Sequence, residues 1–257
     1  MLSKNLIKTV KSLEYKKARK KTGLFVAEGP KIVGEMLRNH TPHTIIATEE
    51  WTGKENKYAR ECCIAEVTDD ELRKISFLQH PQQVLALFRI PEENLSEDSQ
   101  TMPPCNPTEE LVLVLDGVQD PGNLGTIIRI ADWFGISSII CSTDTADAYN
   151  PKVVQATMGS LAHVSIRYTD IVSFLSSQNP SVPIYGTLLD GSDIYSQELT
   201  GNGIIIMGNE GKGISGTVRQ FVSRRLLIPH FSKGDTAESL NVAIATAITC
   251  SEFRRRR

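Results

Sequence analysis

Asn123 and Arg129 lie just after an apolar run at residues 111–115, in a segment that reads DGVQDPGNLGTIIRIADWFGI. We expect a helix over residues 124–134, and Asn123 is placed to cap it, because its side chain can accept a hydrogen bond from a free N–H group of the first turn. Arg129 falls on the flank of that helix, away from the apolar stripe that faces the core. Its guanidinium is either solvated or directed into a ligand crevice, where it can stack on Trp133 one turn later.

A glycine-rich loop, GNEGKGISG, follows a second apolar run at residues 203–207. Gly208, Gly211 and Gly213 allow the backbone to approach a ligand closely and to present its N–H groups. Glu210 would repel a phosphate, and the loop does not match the pattern G-x-x-x-x-G-K-[ST]. The segment is therefore not a P-loop, and its glycines indicate a turn that contacts a nucleoside-like ligand.

A third polar segment, IPHFSKGDTAESLNVAIATAI, follows a strand expected over residues 225–228. It leads into a helix expected over residues 239–250, with Ser239 and Asn241 at its start. Hydroxyl and amide side chains at a helix start either cap the helix or bind a ligand. Both interpretations stay open for Ser239.

Strands and helices alternate through the C-terminal part of the chain. The runs LVLVL and GIIIM are apolar without alternation, which is typical of strands covered on both faces. The pattern predicts an α/β fold with a mainly parallel sheet, in which ligands bind at the carboxyl ends of the strands. The three polar segments each follow a predicted strand, so they should meet at that edge. The other expected elements are strands over residues 138–141, 163–168 and 183–189, and helices over residues 151–158, 170–176 and 216–222.

The acidic, proline-rich stretch at residues 91–109 has few apolar residues and is predicted to be a linker. It divides the chain into an N-terminal part, residues 1–90, and a C-terminal part, residues 110–257. The N-terminal part is predicted to be a small α/β unit. Its expected helices span residues 4–20 and 31–38, and its expected strands span residues 24–27, 44–47 and 84–88.

Positive charge is concentrated at the N-terminus, although the net charge of the chain is −2. Residues 1–40 contain ten Lys or Arg and three acids, a local charge of +7. The chain also ends in four arginines. Concentrated positive charge binds phosphate even when the total is near zero, and the alternative is a solvated helix face.

Composition and targeting signals place limits on the class of protein. No apolar run approaches the roughly 20 residues of a membrane span, and the lysine-rich N-terminus does not resemble a secretory signal. The five cysteines are odd in number, and their spacing fits neither a zinc site nor a disulfide framework. We therefore expect reduced thiols, no metal, no membrane contact and a cytoplasmic location.

Taken together, the three polar segments resemble the ordered motifs of the SpoU family, which belongs to the SPOUT superfamily of methyltransferases. The matching stretches are N-x-G-x-x-x-R at residues 123–129, MGNEGKGIS at 207–215 and IPH…ESLNVAIA ending at residue 245. The resemblance covers nearly the whole chain, since it also includes residues 25–29, 80–82, 150–154 and 157–160.

The resemblance implies a fold, a cofactor and partners. Family members fold their catalytic domain around a deep trefoil knot that forms the pocket for S-adenosyl-L-methionine, and they act as homodimers whose sites combine both subunits. Residues 110–257 would be this knotted methyltransferase domain, and residues 1–90 a ribosomal-protein-like domain that binds the RNA substrate. The implied reaction is methylation of a ribose 2′-hydroxyl of RNA. The extra N-terminal domain favours ribosomal over transfer RNA, and DNA is not expected to be a partner because it lacks that hydroxyl.

The resemblance also assigns roles to individual residues. The expected catalytic residues are Asn123, Arg129, Glu210, Ser239 and Asn241. The expected cofactor-binding residues are Leu189, Met207, Gly208, Ile228 and Leu240. The expected RNA-binding residues are Lys16, Lys17, Arg19 and Lys20. We expect Arg129 to hold the target phosphate and to lower the pKa of the hydroxyl electrostatically, because a guanidinium with a pKa above about 12 is a poor base.

The sequence differs from the family pattern at two positions, and two other functions are possible alternatives. His230 stands where the family usually has methionine, and Gln155 where it often has arginine, so the substrate or the cofactor pocket can differ. One alternative is an inactive RNA-binding ribosome-assembly factor on the same fold. The other is a Rossmann-type nucleotide enzyme, but no G-x-G-x-x-G pattern follows the first strand of the domain.

Overall fold

The computed structural model describes residues 2–54, 63–95, 105–232 and 239–255. The chain forms two compact units. The first consists of Met1–Asp98 together with Asp147–His163, and the second of Ser99–Ala146 together with Val164–Arg257. Residues 96–104 of the predicted linker lie outside the described residues. In the described part of the chain, no helix has the length and apolar character needed to cross a bilayer.

The first unit contains a four-stranded sheet in the order β1-β4-β2-β3. Strands β2 and β3 are parallel, and β4 runs antiparallel to both β1 and β2. The elements are α1 (Lys4–Ser12), α2 (Lys16–Thr22), β1 (Leu24–Glu28), α3 (Pro30–Asn39), β2 (Pro42–Ala47), α4 (Glu49–Lys54), β3 (Cys63–Glu66), α5 (Asp69–Ile75) and β4 (Val84–Arg89).

The single N-terminal helix expected over residues 4–20 is wrong, because the chain breaks into α1 and α2. Tyr15, which precedes α2, has extended backbone angles. The carbonyl groups of Leu13 and Glu14, left free at the break, accept hydrogen bonds from the guanidinium of Arg19, at 2.6 and 2.8 Å. The break is thus stabilised by a charged donor that satisfies carbonyl groups at a helix end.

The second unit contains a six-stranded sheet in the order β10-β8-β9-β5-β6-β7, and every pairing in it is parallel. The predicted parallel sheet is therefore confirmed. Its strands are β5 (Leu111–Asp116), β6 (Ser138–Cys141), β7 (Ser165–Tyr168), β8 (Ile184–Asp193), β9 (Gly203–Gly208) and β10 (Arg224–Leu227). The helices that follow in the chain are α6 (Pro121–Trp133), α7 (Pro151–Thr157), α8 (Ile171–Ser176), α9 (Gly216–Arg219) and α10 (Val242–Arg255), of which α7 belongs to the first unit.

The strand order reverses between β5 and β9. From β5 the chain builds outward through β6 and β7, whereas β9, β8 and β10 lie on the other side of β5. In open α/β sheets a crevice forms at the carboxyl ends of the strands where the order reverses. The loops after β5 and β9 border that crevice.

Strand β8 is longer than the strand expected over residues 183–189 and bulges away from its neighbour. Strand β10 pairs with Tyr185 and Gly186 at one end of β8 and with Ser192 and Asp193 at the other, with a register shift between. Gly191 closes the bulge, because a Cβ atom there would lie 2.5 Å from the carbonyl carbon of Leu226. The residues inside the bulge are thereby displaced from regular pairing and form one wall of a cleft.

Candidate active site

Side chains from the three polar segments meet at the carboxyl edge of the parallel sheet. Asn123 Nδ2 donates to Glu210 Oε1 at 3.0 Å. Asn241 Nδ2 donates to Asn123 Oδ1 at 2.9 Å. Segments that are 87 and 118 residues apart in the chain are therefore joined by direct hydrogen bonds.

Asn123 is free to form these bonds because it does not cap α6, contrary to our expectation. The helix begins at Pro121, and Asp120 caps it by accepting a hydrogen bond from the Asn123 N–H group at 2.8 Å. Proline at the first helical position needs no partner for an N–H group, which favours this earlier start. Asn123 therefore lies in the first turn, with its amide directed at the other two segments.

Asn241 rather than Ser239 caps α10. Its Oδ1 accepts hydrogen bonds from the N–H groups of Ala243 and Ile244, at 2.9 and 3.3 Å. Ser239 lies before the cap, is exposed and lines the cleft. The interpretation of Ser239 as a helix cap is wrong, so its hydroxyl is available to a ligand.

A cleft of about 680 Å³ lies beside this network. Its volume is within the range of small-molecule sites. Glu210 and Ser239 contribute to its lining. All of the residues expected to bind the cofactor line it as well: Leu189, Met207, Gly208, Ile228 and Leu240. The structure thus brings these residues together, and their contact with a cofactor remains a prediction.

Asn209, which the sequence analysis missed, holds the glycine-rich loop in place. Its Nδ2 donates to the carbonyl oxygen of Gly117 after β5, at 2.6 Å. Its Oδ1 accepts hydrogen bonds from the N–H groups of Gly211 and Lys212, both at 3.0 Å. An asparagine that precedes a glycine-rich turn often bonds to the backbone two or three residues later, and this signal could have identified it.

Two glycines of this loop are required for its backbone conformation. A Cβ atom on Gly208 would lie 2.2 Å from the carbonyl carbon of Gly213, so only glycine fits. Gly213 has a φ of +68°, which favours glycine, and its N–H group donates to the Asn209 carbonyl oxygen.

The N–H groups of Gly211, Lys212 and Gly213 are therefore all used inside the loop. Our expectation that the loop presents N–H groups to a ligand is wrong for these three. The loop cannot form a phosphate cradle of the kind that dinucleotide-binding enzymes use. A ligand that is neutral or positively charged at this point suits it better.

The acidic groups of the cleft differ in how they are neutralised. Asp190 Oδ2 accepts hydrogen bonds from Arg219 and from Arg225, the latter at 3.1 Å. Glu210 is half-buried and receives its hydrogen bond from a neutral amide. Glu210 forms no ion pair with any residue that the structure describes.

Arg129 does not join this network within its own chain. It is exposed on α6, does not line the cleft, and makes no hydrogen bond or ion pair across the described ranges of the chain. Trp133 is 85% exposed, and the described residues show no stacking of Arg129 on its ring. The expected stacking is therefore not supported.

The residues expected to bind RNA separate into two groups. Lys16, Lys17 and Lys20 are exposed on α2. Arg19 is only 2% exposed, and its Nε and Nη2 donate to Asp147 Oδ2 at 3.1 and 2.6 Å. Because Arg19 also bonds the two carbonyl groups at the helix break, its guanidinium is unavailable to a ligand. We correct its assignment to a structural one.

The fold and the site together are those of an α/β domain with a cleft at the carboxyl edge of a parallel sheet, where such domains bind ligands. The SpoU rRNA Methylase family matches residues 110–251, and an MRM3-like substrate binding domain matches residues 4–86. The chain belongs to the SpoU rRNA methylase family. The predicted family and the predicted α/β fold with a parallel sheet are confirmed.

Individual relatives agree with this assignment. The chain is 31% identical over 252 residues to the 23S rRNA (guanosine(2553)-2′-O)-methyltransferase RlmP of Bacillus subtilis. The matched region covers 96% of this chain and 95% of the relative. A structure from Porphyromonas gingivalis assigned to the TrmH family of RNA methyltransferases is 40% identical, with a TM-score of 0.87 and full coverage of both chains. The AdoMet-bound rRNA methyltransferase from Sinorhizobium meliloti is 32% identical, with a TM-score of 0.85 over 100% of this chain and 96% of that one.

Proposed function

We propose that this protein transfers a methyl group from S-adenosyl-L-methionine to a ribose 2′-hydroxyl of ribosomal RNA in the cytoplasm. As a member of the SpoU family it is an RNA 2′-O-methyltransferase that uses this cofactor. The main support is the joining of Asn123, Glu210 and Asn241 beside a cleft that contains every residue expected to bind the cofactor. Ribosomal RNA is favoured because the relatives described above that have a named RNA substrate act on it.

The residues of the cleft fit this cofactor. Its adenosine needs apolar contacts, which Leu189, Ile228 and Leu240 offer, and its positively charged sulfur suits a cleft with an un-neutralised carboxylate. When bound, the cofactor supplies an electrophilic methyl group on that sulfur. We assign to Asn123 the task of fixing Glu210 and Asn241 in position, and to Ser239 a hydrogen bond to substrate or cofactor.

Arg129 would activate the ribose hydroxyl indirectly. A guanidinium beside the hydroxyl stabilises the negative charge that develops on the oxygen, and it can also hold the adjacent phosphate with a pair of hydrogen bonds. Arg129 is suited to this task because it has no partner in the described part of its own chain.

We further propose that the protein is a homodimer and that Arg129 completes the site of the partner subunit. Several large apolar side chains are exposed among the described residues, including Trp133, Leu189, Leu240 and Ile244. Two of them line the cleft, so a second subunit that covers them would also close the site. Ile244→Glu should shift the mass measured by light scattering from dimer to monomer, and a wild-type monomer would contradict the proposal.

The trefoil knot expected from the family remains part of the proposal. The chain leaves β10 at one edge of the sheet, yet Asn241 is bonded to Asn123, which follows the central strand β5. The described ends of the segment between β10 and α10 therefore lie on opposite sides of β8 and β9 in the strand order. This separation of the two ends supports this part of the proposal.

Methyl transfer can be measured with labelled cofactor and unmodified 23S rRNA. We expect label in this RNA, none in duplex DNA, and loss of transfer in Arg129→Ala with retention of cofactor binding. Label only in transfer RNA would favour the alternative substrate. Binding of ribosomal RNA without any transfer would favour an assembly factor and contradict the proposed reaction.

A further inference from the structure

We propose that Glu210 makes the cleft selective for a positively charged ligand, so that the methyl donor binds more tightly than its demethylated product. The donor carries a sulfonium, and S-adenosylhomocysteine carries an uncharged thioether at the same place. Glu210 would be the counter-ion of the sulfonium. This inference rests on the proposed function and adds a specificity-determining residue to it.

The first support is the position of the Glu210 carboxyl group, which the hydrogen-bond network fixes beside the cleft. Asn241 Oδ1 accepts from two backbone N–H groups of α10, which can only donate. The Asn241 amide must therefore turn its Nδ2 toward Asn123, whose Oδ1 then accepts, and whose Nδ2 faces Glu210. The order of donors and acceptors ends on Glu210 Oε1, which accepts the hydrogen bond of the Asn123 amide.

The second support is the absence of a competing cation among the described residues. Asp190, the other acid of the cleft, already bonds two arginines, and Arg219 is one of them. Lys212 also lines the cleft, but no ion pair joins it to Glu210 in the ranges that the structure describes. The carboxyl group of Glu210 is thus available to a ligand.

The third support is the direction of the backbone dipoles. The N–H groups of Gly211 and Lys212 both donate to Asn209 Oδ1. They cannot supply the partial positive charge that an anion or a second carboxylate would need. The backbone N–H groups of Gly211 and Lys212 therefore do not offset Glu210 as unpaired N–H groups would.

The expected effect follows from the attraction between two unit charges. At a separation of about 5 Å, and with screening intermediate between protein and water, this attraction changes a binding constant about tenfold. Half-burial of Glu210 places it in that intermediate range. Removing its charge should therefore reduce the preference for the cationic ligand by about tenfold.

The test compares three ligands by isothermal titration calorimetry with the full-length protein. They are S-adenosylmethionine, sinefungin, which carries an amine in place of the sulfonium, and S-adenosylhomocysteine. We expect the wild-type protein to bind the two cationic ligands about tenfold more tightly than the neutral one, and Glu210→Gln to bind all three within about twofold of each other. Glu210→Ala provides the same comparison if the first variant does not fold.

Asp120→Asn is the matched control. It also removes one negative charge near Asn123, but asparagine caps a helix as well as aspartate does, and Asp120 does not line the cleft. The cationic preference should be unchanged in this variant. An unchanged preference in both Glu210 variants, or an equal loss in Asp120→Asn, would overturn the inference. Failure of the wild-type protein to bind any of the three ligands would instead contradict the proposed function.

Discussion

Asn209→Asp separates two tasks that the Asn209 side chain performs at once. A carboxylate can still accept the hydrogen bonds from Gly211 and Lys212, so the turn of the loop is retained. It cannot donate to the carbonyl oxygen of Gly117, which lies 2.6 Å from Nδ2 in the wild type. Two acceptors then face each other, and the tether between the loops after β5 and β9 is lost.

The cost can be worked from that one contact. A lost hydrogen bond that leaves a partly buried acceptor unsatisfied costs about 1–3 kcal/mol, which corresponds to about five- to 150-fold in a binding constant. We expect Asn209→Asp to bind S-adenosylhomocysteine more weakly by that factor at about pH 8. Because this ligand lacks the sulfonium charge, its affinity reports the shape of the loop rather than the charge at Glu210.

The pH dependence distinguishes a tether from a general loss of structure. A protonated carboxyl group can donate to Gly117, and a carboxylate facing a carbonyl oxygen has a raised pKa, so the defect should diminish as the pH falls toward about 5. Asn209→Ala has no such group, and its affinity relative to wild type should not change with pH. Calorimetric titrations at several pH values give both ratios. Parallel pH profiles for the two variants, or wild-type affinity in Asn209→Asp at pH 8, would refute the reasoning.

Three further predictions concern stability and the shape of the cleft. Asp147→Ala leaves the buried guanidinium of Arg19 without its carboxylate, so the free energy of urea unfolding should fall by about 3–5 kcal/mol. Gly208→Ala forces a Cβ atom against the loop backbone, so the affinity for S-adenosylhomocysteine in calorimetry should fall at least about tenfold, with little change in secondary structure measured by circular dichroism. Burial raises the pKa of Glu28 above 4.5, so its contribution to stability is fully present below that pH and is lost as the pH rises through the raised pKa. Glu28→Gln should therefore lose less stability than wild type between about pH 4.5 and 7 in urea unfolding.

Each of these has a control or a contrary outcome. Asp70→Ala removes the partner of Arg73 in an exposed pair, so it should cost far less than Asp147→Ala, and equal costs would contradict the structural role of Arg19. Wild-type affinity in the Gly208 variant would mean that the loop can open without cost. An identical pH slope in Glu28→Gln would mean that other groups dominate the titration.

The parallel sheet could be predicted because its central strands are continuous apolar runs that can be recognised from the local sequence. Val112, Val114, Ile204 and Ile206 are all buried, as continuous apolar runs indicate for strands covered on both faces. The short elements of the first unit carried no comparable signal. Strand β3 is partly exposed along its length, and α4 has six residues, too few for a clear helical period.

The convergence of the three polar segments was predictable, but the bonds within it were not. Parallel strands bring their following loops to one edge, so Asn123, Glu210 and Asn241 were expected to be neighbours. Which asparagine caps a helix and which one bridges two loops depends on where the helices begin. Asp120 and Pro121 fix that start for α6, and only the structure shows that Asn123 is thereby released.

Arg19 shows the limit of local composition. It lies in the sequence KKARKKT, which is typical of a solvated helix face. The side chain turns inward because Asp147, 128 residues later, neutralises it. No window of sequence around Arg19 contains that information, whereas its neighbours Lys16 and Lys17 follow the local pattern and are exposed.

The ion pair between Arg19 and Asp147 cannot form until both residues have been synthesised. The strands of the N-terminal sheet are complete at Arg89, but α7, which packs against β1, begins only at Pro151. At a ribosomal rate of about 5–20 residues per second, Arg19 is synthesised roughly 6–26 seconds before Asp147. The N-terminal unit therefore cannot finish folding as the first product of translation, and a nascent chain that is arrested before Asp147 should expose the surface that α7 later covers.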